Sequence, residues 1–166
     1  MDWLPLASAA LGGLIGSGST LMADRVRWRR ETAERTAERQ RAEEERKQTN
    51  RHAMYAEYLT ALSRIRNGLR EMAHDESASA AERSARLQKV FLESGAYELR
   101  SQLQLVAPES VVQHTEGAYK SLRRLRMAIE EGASFQDAAY LERRDHYHGQ
   151  LGSLKQALRR DLSIDT

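Results

Sequence analysis

The sequence predicts an all-α protein: an N-terminal transmembrane-type helix running into a long charged helix, then an antiparallel helical bundle. Three observations predict it. Apolar residues recur at helical spacing through the second two-thirds of the chain, with only Pro108 to interrupt them. Aromatic residues make up 6% of the sequence and β-branched residues are sparse, which disfavours a strand-built core. A run of 21 uncharged residues, Trp3 to Ala23, precedes a stretch rich in Ala, Glu, Arg, Gln and Lys, all strong helix formers.

The first element, residues 1–23, is read as a membrane-spanning segment. As a helix the uncharged run spans about 31 Å at ~1.5 Å per residue, against a hydrocarbon core of about 30 Å. Trp3 and Trp28 bracket it, and indoles favour the two membrane interfaces. Arg25, Arg27, Arg29 and Arg30 follow it and no basic residue precedes it. The positive-inside rule then places the C-terminal part in the cytoplasm and the N-terminus outside. Eight of the thirteen residues from Ser8 to Thr20 are Gly, Ser or Thr, so insertion as a lone helix is marginal. A cleaved signal peptide is disfavoured because its opening region should be basic, and here it holds only Asp2. An interfacial helix, or one buried in a soluble assembly, is the competing reading. Gly12 and Gly16 form a GxxxG pair, with Gly13 and Ser17 running beside them at the same spacing. Small residues one turn apart let two helix backbones approach closely in lipid, so these four are the expected self-association face.

The distribution of charge excludes one class of partner. Four arginines lie between Arg25 and Arg30, six basic residues balance six acidic ones from Glu31 to Arg51, and sixteen balance sixteen thereafter. A nucleic-acid-binding domain carries its basic surplus on the folded body, so no nucleic-acid partner is expected. Residues 24–51 form the second element, a basic juxtamembrane patch and a charged stalk. Between Trp28 and Met54 no side chain is both apolar and larger than alanine. Pairs such as Glu31–Arg35, Glu43–Lys47, Glu38–Arg41 and Glu43–Arg46 support a solvated helical spacer.

Residues 52–166 are read as a helical bundle, with helices at about 52–74, 79–107, 108–131 and 134–162. Tyr55, Tyr58, Leu62, Ile65, Leu69 and Met72 step by alternating threes and fours, which is a heptad seam. Ser79-Ala-Ala-Glu82 reads as a capping box opening a helix with Ala85, Leu92, Ala96, Leu99, Leu103 and Val106 on one stripe. Pro108 ends that helix and suits the first position of the next. There Val111, Thr115, Ala118, Leu122, Leu125 and Ile129 form a second seam, and Gly132 is placed to terminate it. Ser134-Phe-Gln-Asp137 reads as the start of the last helix, with a stripe of Tyr147, Leu151, Leu154, Leu158 and Leu162. Short turns between long helices imply antiparallel neighbours.

No catalytic, cofactor-binding or metal-binding constellation emerges. The chain has no cysteine, which excludes disulfides and thiolate sites. Glu71-Met-Ala-His74 has the Glu-x-x-His spacing of di-iron bundles, but a second such motif is missing. His146 and His148 are two apart and so point to different helix faces. No phosphate loop, HExxH or nucleophile elbow is present, and the doublets Arg123–Arg124, Arg143–Arg144 and Arg159–Arg160 read as solvated faces.

The opening Trp3-Leu4, the Gly-rich span, the Trp28-Arg29-Arg30-Glu31 stop and the Tyr55-Ala56-Glu57-Tyr58-Leu59 helix start resemble those of small actinobacterial single-pass membrane proteins. The resemblance implies an anchor with a cytoplasmic helical body and brings no known activity. A span followed by an Ala/Glu/Arg stalk is also similar to the peripheral-stalk subunit of rotary ATP synthases. That subunit continues as one long helix, whereas Pro108 and two capping boxes fold this chain back, so the match is rejected. The expectation is a non-enzymatic, membrane-anchored interaction or scaffold module with lipid, a second copy and a further protein as partners. A membrane-active oligomer that forms a pore or disrupts the bilayer is the first alternative. A structural subunit of a phage or filament assembly, its apolar helix buried between subunits, is the second.

Overall fold

The structure, a computed structural model, describes residues 4–75 and 77–163, with side chains at 28 and 32 and from 34 onward. All regular elements of the described residues are helices: α1 (Leu4–His74), α2 (Ala80–Glu93), α3 (Ala96–Val106), α4 (Glu109–Glu130) and α5 (Ala138–Asp161). The chain divides into two compact units, Met1–Lys47 and Gln48–Thr166.

Within the first unit α1 is unbroken from Leu4, and its described side chains are exposed apart from half-buried Ala37. The hydroxyls of Thr32 and Thr36 donate back to the carbonyls of Trp28 and Thr32, the usual outlet for a β-branched hydroxyl in mid-helix. Lys47 lies 2.9 Å from Glu44, one residue beyond the Glu43 expected from spacing. Among the described residues no helix is long and apolar enough to cross a membrane. The side chains of the expected span, residues 1–23, lie outside the described residues.

Within the second unit the chain forms a four-armed antiparallel bundle whose second arm is broken into α2 and α3. Both expected seams are buried: Tyr55, Tyr58, Leu62, Ile65, Leu69 and Met72 on α1, and Val111, Thr115, Ala118, Leu122, Leu125 and Ile129 on α4. Tyr58 O–H donates to the Thr115 carbonyl at 3.1 Å, which fixes α1 against α4. α4 packs along α5 and more briefly against α2 and α3. Leu154, Leu158 and Tyr147 of the last stripe are buried, and Leu151 and Leu162 are half-buried.

The caps show why the elements begin and end where they do. Ser79 and Glu82 form the expected capping box, and the Ser79 hydroxyl and backbone hold the Glu82 carboxyl below the usual carboxylate range. At the end of α4 the Gly132 N–H donates to the Ile129 carbonyl and the Ala133 N–H to that of Ala128. Those two bonds with Gly132 at φ 101° make a Schellman motif, so Gly132 terminates the helix as expected. Pro108 is the N-cap of α4, one residue before the expected first position, and Ala107 before it is held extended.

Two expected helices need correction. The helix expected over 79–107 is two, because Gly95 adopts φ 70° and the backbone turns there. The break re-phases the arm: Leu87 takes the buried position, while Leu92 is 71% exposed and Val106 47%. Ala85 is exposed as well. The last helix, expected from 134, starts at Ala138. Ser134 does not cap it. Instead Asp137 holds the N-cap position and its carboxylate accepts the Ser134 N–H at 2.7 Å. The freed turn docks on the end of α1, where the Phe135 N–H donates to the Ala73 carbonyl and the Phe135 ring stacks on His74 with centroids 4.0 Å apart. A carbonyl that the helix end leaves without an intrahelical partner is thereby satisfied.

Candidate functional site

The antiparallel pairing of α5 with the second half of α1 is fixed at both ends. Phe135, just before α5, meets Ala73 and His74, and Asp161 at the end of α5 meets Arg51 and Tyr55. At the Asp161 end Tyr55 O–H donates to Asp161 Oδ2 at 2.6 Å, and Arg51 Nη1 lies 3.3 and 3.4 Å from the two carboxylate oxygens. Burial, then the bond to Asp161, pushes the Tyr55 phenol well above its ordinary range. It therefore remains a donor at any physiological pH.

Beside this triad opens a cleft of about 480 Å³. Tyr55, Ala56 and Leu59 of α1 and Leu158 and Leu162 at the end of α5 make its apolar floor. His52, Lys155 and Arg159 stand at its rim, and among the described residues none that lines it is acidic. On each helix the lining positions fall at i, i+3, i+4 and i+7, which is one helical face. Two helices therefore contribute matching faces that meet without closing.

Two smaller clefts differ in character. One of about 360 Å³ between α4 and α5 is lined by Ser121, Arg124, Glu142, Arg143 and His146, without an apolar floor. The other, about 260 Å³, lies where Val90 of α2 crosses Gly68 of α1, and its charges include the Arg86–Asp75 pair at 3.0 Å. Among the described residues no group of three or more His, Cys, Asp or Glu side chains could hold a metal ion. His74 of the Glu-x-x-His spacing is stacked on Phe135, and His148 lies beside the Tyr147 ring, centroids 5.8 Å apart.

Of the residues expected to meet a membrane or a second copy, Gly12, Gly13, Gly16 and Ser17 fall within α1, so the helix sets Gly12 and Gly16 one turn apart. Their surroundings lie outside the described residues, as do Trp3 and the side chains of Arg25, Arg27, Arg29 and Arg30. Trp28 is described and stands 67% exposed. Sequence reasoning missed the cleft. The mixed basic and apolar faces 52/55/56/59 and 155/158/159/162 were present as spacings, but nothing local says that those two faces meet.

The chain matches no family model, no curated protein and no solved structure. The likeness to small actinobacterial membrane proteins therefore rests on the residues that carry it.

Proposed function

We propose that this protein is a non-enzymatic, membrane-anchored helical interaction module that displays its bundle on the cytoplasmic side and self-associates through its membrane segment. One observation carries the reading. The whole basic surplus of the chain sits in Arg25–Arg30, directly after 21 uncharged residues, while the remainder is balanced. Arginines in that position hold a segment at the cytoplasmic leaflet, each contributing about 1 kcal/mol beside anionic lipid. The exposed apolar side chains of Leu92, Tyr97 and Leu105 on α2 and α3 favour a body that meets a further protein. The glycines of residues 12–18 favour a second reading, an oligomer that perturbs the bilayer, for which dye release from vesicles is the distinguishing assay.

Self-association is tested at Gly16. Gly16→Ile places a β-branched side chain at the point of closest helix approach and also raises the hydrophobicity of the segment. In-membrane crosslinking should show less oligomer, while the membrane-bound fraction is unchanged or higher. Leu14, off that face, should tolerate replacement. Oligomer that persists in Gly16→Ile would remove the glycine face from the account.

A further inference from the structure

We propose that the cleft between α1 and α5 is a binding site for a single-chain amphiphilic anion of the fatty-carboxylate class. The chain lies against the Tyr55, Leu59, Leu158 and Leu162 floor, and the carboxylate meets Lys155 at the rim.

The floor sets the apolar part of the ligand. Residues 52–59 cover two helical turns, about 10 Å at ~1.5 Å per residue, which suits an extended alkyl chain. The cleft's volume of about 480 Å³ falls within the range usual for small-molecule sites.

The charge of the rim sets the head. His52, Lys155 and Arg159 line the cleft, and among the described residues no carboxylate does. Asp161, beside the cleft, is already engaged by Tyr55 O–H and Arg51 and is nearly buried, so it offers the ligand little repulsion. Among the described residues Lys155 makes no ion pair. A carboxylate at the rim would gain charge-assisted hydrogen bonds while remaining in contact with water. The site stands whether or not residues 4–27 cross a bilayer.

The test uses the full chain in neutral detergent with a dodecanoate probe bearing a photoreactive diazirine on its chain, labelled sites being mapped by mass spectrometry. Labelling should fall within residues 52–59 and 155–162, and excess dodecanoate should compete. Dodecanol, with the same chain and no charge, should compete at least tenfold less well. Ala56→Trp, at an exposed position of the floor, should abolish labelling by filling the cleft. Lys155→Glu, on the solvated rim, should weaken it about tenfold and keeps the test decisive if Ala56→Trp disturbs packing. Labelling confined to other segments, or equal competition by dodecanol, would overturn the proposal. Equal competition by diacyl phosphatidylglycerol would assign the cleft to bilayer lipid and overturn the single-chain assignment. Protection by an acidic amphipathic peptide in place of dodecanoate would overturn it in favour of a protein occupant.

Discussion

Tyr147 lies fully buried on α5, and its hydroxyl has no hydrogen-bond partner among the described residues. Burying a hydroxyl without a partner costs about 1–3 kcal/mol, so the ring contributes to the core while its oxygen opposes it. Tyr147→Phe should therefore raise stability by about 1 kcal/mol at neutral pH, measured by chemical denaturation. A loss of similar size would mean that the hydroxyl is satisfied in solution. Burial also pushes the Tyr147 phenol up to about 12 from its ordinary value near 10. The unfolded chain then loses this proton before the folded one. Stability from this group is complete below about pH 10 and is lost as pH rises through about 12, roughly 2–3 kcal/mol in all. Tyr147→Phe should lose less stability across that window than the parent chain. The neighbouring Tyr58 is raised in the same direction, also by burial. Its hydroxyl differs in having a partner, the Thr115 carbonyl.

The break between α2 and α3 separates glycines that are required from glycines that are tolerated. Gly95 sits at φ 70°, and a Cβ there would meet nothing within 4 Å, so the objection to a side chain is conformational alone. Gly95→Ala should cost about 1–2 kcal/mol through left-handed strain. Gly152, inside α5 with open space around it, should behave in the opposite sense. Gly152→Ala should stabilise by roughly 0.5–1 kcal/mol because alanine loses less backbone freedom in a helix. Thermal melts of the two variants should move in opposite directions, and a matching direction would contradict the reading of the break. The same glycine explains what was legible in the sequence. The seams of α1 and α4 could be read because each helix is uninterrupted, so period and burial coincide. Of the stripe from Ala85 to Val106, Ala96, Leu99 and Leu103 are buried as expected, whereas Ala85 and Leu92 before Gly95 are exposed, since a period carried back through Gly95 is lost where the backbone turns. At Ser134 a Ser and an Asp three apart fit either a helix start or a turn, and docking of Phe135 on α1 decides for the turn. The cleft was illegible for a third reason, since it depends on which helices become neighbours.

At the scale of the whole molecule, the membrane reading depends on charge placed outside the folded body. Its orientation can be tested independently, since the chain has no cysteine to interfere. With single cysteines introduced as Asp2→Cys and Asp165→Cys, an impermeant thiol reagent on intact cells should label position 2 only. Labelling of position 165 alone would place the bundle outside. The most direct measurement is extraction of membranes with alkaline carbonate, which strips peripheral proteins and leaves spanning ones. The full-length chain is expected in the pellet, and a chain starting at Glu31 in the supernatant. Recovery of the full-length chain in the soluble fraction without detergent would contradict the anchor, and residues 3–23 would then have to be buried in a protein assembly.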